Sequence, residues 1–270
     1  MQARPWLRWL TTPTAVRVPA ITAFFWLLKL LSTATGEATS DYLVHAIAPV
    51  AAVLIGFAAF ALALAIQFRL GRYNAWAYWF AVVMVGTFGT MAADVLHVGL
   101  GVPYTVSTAL YAVVLALIFW LWYRTERTLS IHSIYTPRRE AFYWAAVVAT
   151  FAMGTALGDF TAYTLGIGYF PSALIFFGLI LVPAGGFRWL RWNAVFAFWF
   201  AYVVTRPLGA SLADGLGRPA GLGGLGAGNG RVALVLDIVI AVLVTYLAVT
   251  RVDAQPTAGA SADARLTGTD

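Results

Sequence analysis

The stretch FYWAAVVATFAMGTALGD, residues 142–159, places a tryptophan, a glycine and an aspartate in an otherwise apolar segment. The glycine follows the tryptophan by ten residues, and the aspartate follows it by fifteen. An aspartate is costly to bury in apolar surroundings unless its charge is compensated. The stretch therefore predicts an apolar helix with a polar end. Whether the aspartate at that end has a functional or a structural role decides how the chain is interpreted.

The same spacing recurs three more times along the chain. It is found in FFWLLKLLSTATGEATSD (24–41), AYWFAVVMVGTFGTMAAD (77–94) and AFWFAYVVTRPLGASLAD (197–214). The repeated residues are the tryptophans Trp26, Trp79, Trp144 and Trp199, the glycines Gly36, Gly89, Gly154 and Gly209, and the aspartates Asp41, Asp94, Asp159 and Asp214. Three identities in one register, found four times, indicate an internal repeat.

The composition indicates a polytopic membrane protein. Of the 270 residues, 61% are hydrophobic and 10% are charged, whereas soluble domains carry about 25% charged residues. Cysteine is absent, which excludes disulfides and thiolate metal sites, and the three histidines are widely scattered. The formal charge of +6 is interpreted as a determinant of membrane orientation, so no nucleic-acid partner is predicted.

Eight apolar segments have about the 20 residues that a spanning helix needs. They lie near residues 18–40, 43–68, 74–97, 104–123, 140–163, 170–187, 192–213 and 231–250. All but four of the 17 basic residues lie on one side of these spans. The positive-inside rule then predicts that both termini are cytoplasmic.

The predicted organisation is four repeats between two polar ends. Its parts are an N-terminal cytoplasmic or interfacial segment (1–17), repeats 18–72, 73–138, 139–191 and 192–251, a glycine-rich external loop (215–231) and a disordered cytoplasmic tail (252–270). Each repeat contains two spans, an even number, so successive repeats enter the membrane the same way up. The predicted fold class is therefore an all-α membrane protein of eight transmembrane helices in four parallel two-helix repeats.

With this Trp…Gly…Asp pattern, the chain resembles a bacterial family of uncharacterised membrane proteins built from four tandem two-helix repeats of unknown function. The resemblance covers about residues 18–250. It implies the eight-helix, four-repeat layout and a multi-pass protein of the bacterial cytoplasmic (inner) membrane. It implies no activity.

The parallel repeats place all four aspartates at one depth near the outer side, since fifteen helical residues rise about 22 Å from the tryptophans. One hypothesis is a ring of carboxylates that faces an ion pathway. The alternative is structural, in which each aspartate ends its helix in water and orders the next turn. For the tryptophans the ordinary alternative is interfacial anchoring, and the glycines are expected to allow close helix contact or a bend.

Four charged residues break the fourfold pattern. They are Glu37 and Lys29 in the first copy, Arg206 in the fourth, and Asp237 in the last span. Glu37 joins the aspartates as a predicted cation-facing group, whereas Arg206, Lys29 and Asp237 are predicted charge partners. The alternative is a salt-bridge network that only joins the first and seventh helices. Carboxylate oxygens suit Mg²⁺, Mn²⁺ or Ca²⁺, so the candidate metal ligands are Asp41, Asp94, Asp159 and Glu37.

The predicted function is transport of a small cation, either a divalent metal such as Mn²⁺ or Mg²⁺ or a proton-coupled species. Two alternatives stay open: a non-transporting scaffold or sensor with structural aspartates, and a small-molecule exporter. We find no phosphate-binding loop, HExxH pair or Ser/His/Asp set, so no enzymatic activity and no catalytic residue are predicted. The expected partners are the lipid bilayer and the cation, with a homo-oligomer left open. No cofactor is required beyond a bound divalent cation.

Overall fold

The computed structural model describes residues 16–255, and within them it contains eight α-helices, short 3₁₀ and π segments and no β-strand. The α-helices are α1 (Ala23–Ala46), α2 (Pro49–Leu70), α3 (Ala75–Asp94), α4 (Tyr104–Glu126), α5 (Pro137–Asp159), α6 (Tyr169–Trp189), α7 (Ala194–Gly217) and α8 (Asn229–Thr250). The predicted all-α class is confirmed. Residues 1–15 of the predicted N-terminal segment and residues 256–270 of the predicted tail lie outside the described part.

Seven of these helices, α2 to α8, are long and apolar enough to cross a membrane. Helix α1 does not reach the same apolar character, because it carries Lys29, Glu37 and Asp41 within its 24 residues. The described part of the chain is therefore a helical protein of membrane type.

Helix α1 begins and ends later than the predicted span 18–40. It begins after Thr22, whose hydroxyl accepts a hydrogen bond from the Phe25 N–H as an N-cap. It then continues through Asp41 to Ala46. The prediction stopped at the aspartate because a carboxylate was expected to end the apolar segment. In the folded protein Asp41 is buried and paired, so the helix continues past it.

The odd-numbered helices form an inner ring in which α1, α3, α5 and α7 each contact the next, and α7 contacts α1. Each even-numbered helix lies outside, against the odd helix of the following repeat: α2 on α3, α4 on α5, α6 on α7 and α8 on α1. In α3, α5 and α7, between 61% and 72% of the apolar 18-residue stretch of each helix is buried. In the even helices the buried share of that stretch is 17–28%. The outer helices thus present the surface that suits lipid.

The repeated glycines lie where adjacent inner helices touch. Each one faces the position seven residues after the repeated tryptophan of the next helix; the pairs are Gly36–Gly86, Gly89–Phe151, Gly154–Arg206 and Gly209–Thr33. A Cβ added to any of these glycines would lie 3.0 Å or less from a carbon of its partner. Because the same positions meet at all four contacts, the inner helices run parallel and at one height. We call the two ends of this ring the tryptophan end and the aspartate end.

The four repeats differ in pairs at the aspartate end. Helices α3 and α5 continue beyond their aspartates as π-helical turns, Val95–Gly99 and Phe160–Thr164. Helices α1 and α7 continue past their aspartates in α-helical form. Single π turns within helices are often found at functional sites. The ring is therefore fourfold in its packing, but at this end the neighbouring helices α3 and α5 differ from α1 and α7.

Residues 16–17 and 252–255, at the two predicted terminal boundaries, belong to the folded part. The Arg17 guanidinium lies 2.5 Å from the carboxylate of Glu140, which is fully buried. The Tyr73 hydroxyl donates a hydrogen bond to the Asp253 carboxylate. These contacts join the first and last described residues to the tryptophan end of the ring.

The glycine-rich segment 215–231 also has a defined path. Helix α7 extends into it, and the rest folds back onto the end of that helix. The Leu225 N–H donates to the Gly215 carbonyl oxygen at 2.7 Å, and the Gly226 N–H donates to that of Arg218 at 2.8 Å. Composition predicted a flexible loop, whereas these backbone hydrogen bonds hold the segment over the aspartate end of α7.

Candidate functional site

Five carboxyl groups from the four inner helices gather toward the aspartate end. They belong to Glu37, Asp41, Asp94, Asp159 and Asp214. Asp94 is half-buried, and the other four have exposed fractions of 8% or less. Asp94 and Asp159 each interact electrostatically with the other carboxylates of the group. We call these five residues the carboxylate cluster.

Arg206 binds the deepest member of the carboxylate cluster. Its Nη2 atom lies 2.6 Å from Glu37 Oε2, and both side chains are buried. The same nitrogen donates to the Thr155 hydroxyl at 2.6 Å and to the Thr90 hydroxyl, while Nη1 donates to the Thr33 carbonyl oxygen at 3.2 Å. These partners belong to α1, α3 and α5, so one guanidinium on α7 connects all four inner helices.

Arg218 binds two further members of the carboxylate cluster. It follows α7 directly, with Nη2 at 2.7 Å from Asp41 Oδ2 and Nε at 3.0 Å from Asp214 Oδ1. Asn229, at the start of α8, donates from Nδ2 to the same oxygen of Asp41 at 2.9 Å. Burial lowers the pKa of Arg218, but Asp214 and Asp41 outweigh it and hold that pKa above its usual range. Arg218 is therefore charged whenever it bridges them.

Sequence reasoning missed Arg218 and Asn229, because both lie in the glycine-rich segment that was interpreted as a flexible loop. One signal was available. Arg218 follows Asp214 by four residues, the spacing at which opposite charges meet on a helix.

Asp94 and Asp159 differ from the other members of the cluster. Within residues 16–255, neither carboxylate has a hydrogen bond or an ion pair, although Asp159 is only 8% exposed. They are also the two aspartates that precede the π-helical turns. The positive charge in the cluster therefore lies on the Glu37, Asp41 and Asp214 side.

Two predicted charge partners do not join the carboxylate cluster. Lys29 is buried nearer the tryptophan end, with Nζ 4.0 Å from the ring centre of Phe151 and 4.1 Å from that of Tyr202. Asp237 lies on the exposed face of α8 and forms no ion pair with any other described residue. Asp237 is thus not a charge partner among the described residues, because helical rotation turns its side chain away from the ring.

The predicted metal ligands Asp41, Asp94, Asp159 and Glu37 are not assembled as one coordination sphere. In the described part of the chain, no three histidine, aspartate or glutamate side chains are arranged to hold a metal ion. The four residues project from three helices, and Glu37 and Asp41 are each bound by an arginine. A single ion would reach all four only after these groups move.

The tryptophan end is closed by aromatic side chains. Each inner helix carries an aromatic residue just before its repeated tryptophan: Phe25, Tyr78, Tyr143 and Phe198. The Tyr78 and Tyr143 hydroxyls are 2.5 Å apart, and the ring centres of Phe25 and Phe198 are 5.9 Å apart. We call these four residues the aromatic layer. Three repeated tryptophans are buried beside it, at most 5% exposed, and the fourth, Trp26, is half-buried. These tryptophans therefore contribute to the protein core.

A family model described as a Repeat of Unknown Function (DUF347) matches the chain three times, at residues 77–128, 142–191 and 197–253. These matches cover more than half of the chain and correspond to the second, third and fourth repeats. The first repeat is not matched, although α1 completes the ring in the same register. No curated protein and no solved structure matches the chain.

Proposed function

This chain belongs to the DUF347 repeat family, whose function is unknown, and we propose that it moves a small cation across a bacterial cytoplasmic membrane through the carboxylate cluster. The observation that carries the proposal is a charge imbalance. Within residues 16–255, five carboxylates face two guanidinium groups, so full ionisation would leave three negative charges uncompensated by the described residues of a mostly buried site. Buried charges are normally paired, and cations from solution would supply the missing positive charge.

We further propose that all eight helices span the membrane, with both termini in the cytoplasm and the aspartate end outside. Helix α1 stands in the ring in the same register as α3, α5 and α7, so it crosses the same thickness. Its charged groups are shielded from lipid by the other helices, which compensates for its lower apolar character. The excess of basic residues at the tryptophan end supports the orientation.

In the proposed mechanism, a cation enters at Asp94 and Asp159 and then competes with Arg218 for Asp41 and Asp214. The aromatic layer blocks the way to the cytoplasm in this conformation. Neutralisation of the cluster by the cation removes the attraction that holds Arg218, and the repeats then rearrange to open the opposite end. The carboxylate oxygens suit Mn²⁺ or Mg²⁺ as ligands, and they can also take up protons.

Calorimetric titration of the detergent-solubilised protein with Mn²⁺ and Mg²⁺ tests this proposal. We expect saturable binding that weakens at least about tenfold in Asp159→Asn, equivalent to about 1.4 kcal/mol. Asp237→Asn is the matched control, because it makes the same chemical change outside the cluster and should bind as the wild type does. Mn²⁺ uptake into proteoliposomes should follow the same order. If Asp159→Asn binds and takes up Mn²⁺ as the wild type does, the carboxylate cluster is excluded as the pathway.

Arg218→Gln is expected to strengthen cation binding. The substitution removes the built-in positive charge that occupies Asp41 and Asp214, so the apparent Kd for Mn²⁺ should fall by roughly three- to tenfold, about 0.7–1.4 kcal/mol. Titration at fixed pH and ionic strength measures the change, with the exposed Arg231→Gln as the control. Weaker binding in Arg218→Gln than in Arg231→Gln would show that Arg218 supports the site instead of competing for it.

The scaffold or sensor alternative is supported by a different observation. Arg206 ties all four inner helices together, as a static bundle requires. In that case Asp159→Asn changes thermal stability without any effect of added cation. The exporter alternative has less support: two apolar grooves of about 540 and 640 Å³ flank α7, but both open toward the sides of the bundle.

A further inference from the structure

We propose that Lys29 carries a proton between the carboxylate cluster and the aromatic layer, so that cation movement is exchanged for proton movement in the opposite direction. The inference rests on the proposed function. It adds a second transported species and names the side chain that holds it.

Lys29 lacks the partners that a buried ammonium group normally has. The residue is 1% exposed, and its Nζ atom has no hydrogen-bond acceptor anywhere in residues 16–255. Its Nζ atom lies over the rings of Phe151 on α5 and Tyr202 on α7, at 4.0 and 4.1 Å from the ring centres. A lysine with a structural role would be expected to bind a carboxylate or carbonyl oxygen here, as Arg206 does.

These surroundings accommodate both forms of the amine. Aromatic ring faces attract an ammonium group, whereas burial without an acceptor favours the neutral amine. Among the described residues Lys29 has no ion pair that would fix it in either the charged or the neutral form. An arginine cannot serve in the same way, because its guanidinium does not lose its proton in proteins. The position thus suits a group that gains and loses a proton during a cycle.

The groups that face Lys29 from the neighbouring helices do not fix its protonation state. The helices packed against α1, and α5 whose Phe151 meets Lys29, carry the following titratable or charged residues: Arg69 on α2, Tyr78 and Asp94 on α3 with His97 in the π turn after it, Arg138, Arg139, Glu140, Tyr143 and Asp159 on α5, Tyr202, Arg206 and Asp214 on α7, and Arg231, Asp237 and Tyr246 on α8. Among them, Arg206 faces the same aromatic ring as Lys29, with its Cζ atom 5.2 Å from the centre of Phe151. Arg206 is itself paired with Glu37, so a cation that draws Glu37 away changes the field at Lys29.

Tyrosine hydroxyls lead from Lys29 toward the cytoplasmic end. The Tyr202 ring lies against Lys29, and among the described residues the Tyr202 hydroxyl has no hydrogen-bond partner, so it is available to a proton donor or acceptor. The Tyr143 and Tyr78 hydroxyls are 2.5 Å apart. Within the described residues no hydrogen bond joins Lys29 to Tyr202 or Tyr202 to Tyr143, so these transfers accompany a movement of the side chains. In exchange for the incoming cation, a proton enters at the Tyr78 hydroxyl, each hydroxyl passes its own proton to the next, and the neutral Lys29 amine accepts a proton from Tyr202. Lys29 then releases its proton toward the carboxylate cluster and returns to the neutral amine.

Beyond Tyr78 the path reaches the folded chain ends. The ring of Tyr73 packs against that of Tyr78 with centres 5.7 Å apart, and the Tyr73 hydroxyl donates to the Asp253 carboxylate. Among the described hydrogen bonds none joins Tyr78 to Tyr73, so this step accompanies a movement of the aromatic layer. A gap at that position keeps protons from leaking through the closed protein.

Proteoliposomes with a pH-sensitive dye inside test the proposal, using Mn²⁺ as the added cation. Mn²⁺ uptake by the wild-type protein should be accompanied by the release of protons from the interior of the proteoliposomes. Lys29→Met and Lys29→Arg fix this position as neutral or charged, and both should lower proton release at least tenfold while calorimetric Mn²⁺ binding changes by less than twofold. Tyr143→Phe should also lower proton release, whereas Tyr246→Phe, on the half-exposed surface of α8, should not.

The outcomes separate this inference from the proposed function. If the wild-type protein takes up Mn²⁺ without proton movement, the inference is overturned and the proposed function stays intact. The same holds if Lys29→Met and Lys29→Arg release protons as the wild type does. If the lysine variants do not fold, Tyr143→Phe decides, and proton release equal to that of Tyr246→Phe overturns the inference. A wild-type protein that neither binds nor transports Mn²⁺ overturns the proposed function and this inference with it.

Discussion

Arg206→Met is expected to lower the free energy of unfolding by about 3–5 kcal/mol, the range found when one partner of a buried ion pair is removed. The variant leaves the Glu37 carboxylate buried at 2% exposure without its cation. It also removes the guanidinium hydrogen bonds to Thr90, Thr155 and the Thr33 carbonyl oxygen. Thermal or denaturant unfolding in one detergent, for variant and wild type, measures the loss.

Two further variants decide whether the loss comes from the buried charge. The double variant Glu37→Gln/Arg206→Met should recover most of the stability, because it removes the unpaired carboxylate as well. Arg138→Met is the matched control: its guanidinium lies 2.5 Å from Glu126, but the Arg138 side chain is 64% exposed. Its effect should stay below about 1 kcal/mol. An Arg206→Met variant as stable as Arg138→Met would mean that the pair does not hold the ring together.

Gly36→Ala is expected to destabilise the ring by about 1–3 kcal/mol through overpacking. A Cβ at this position would lie 2.7 Å from the Gly86 carbonyl carbon and 2.9 Å from its Cα. Both are backbone atoms of α3, so no side-chain rotation relieves the clash and the two helices must separate. The midpoint of thermal unfolding should fall accordingly.

Gly178→Ala is the matched control for Gly36→Ala. Gly178 lies within α6, and apart from the adjoining turns of that helix no atom of residues 16–255 lies within 4 Å of an added Cβ. The same substitution should there cause no loss, and alanine's higher helix propensity would favour a gain of up to about 1 kcal/mol. Equal unfolding midpoints for the two variants would show that the close α1–α3 contact does not contribute to stability.

The described structure combines a fourfold frame with one asymmetric centre. The glycine contacts repeat at all four interfaces between inner helices. The position eleven residues after each tryptophan holds Glu37, Thr90 and Thr155 in the first three copies, and Arg206 approaches all three from the fourth. Duplication thus supplied the frame, and divergence at two positions placed a buried ion pair on its axis.

Several features were determined by the sequence alone. The Trp…Gly…Asp register predicted four equivalent helices, and the even number of spans in each unit predicted that they run parallel, as the matching glycine contacts require. The α-helical class and most helix positions followed from apolar segment length. These properties are local or periodic along the chain, so they can be read without knowing which segments meet.

Only the tertiary structure decided how each charged residue is used. The Arg206–Glu37 pair joins positions 169 residues apart, and Asn229 reaches Asp41 across 188 residues. Such contacts depend on how the helices are rotated and placed in the ring. That placement leaves Asp159 without a partner in the described part of the chain and turns Asp237 outward. Residue spacing specifies the height of each group in the membrane, but the free energy of a buried charge depends on neighbours that folding brings together.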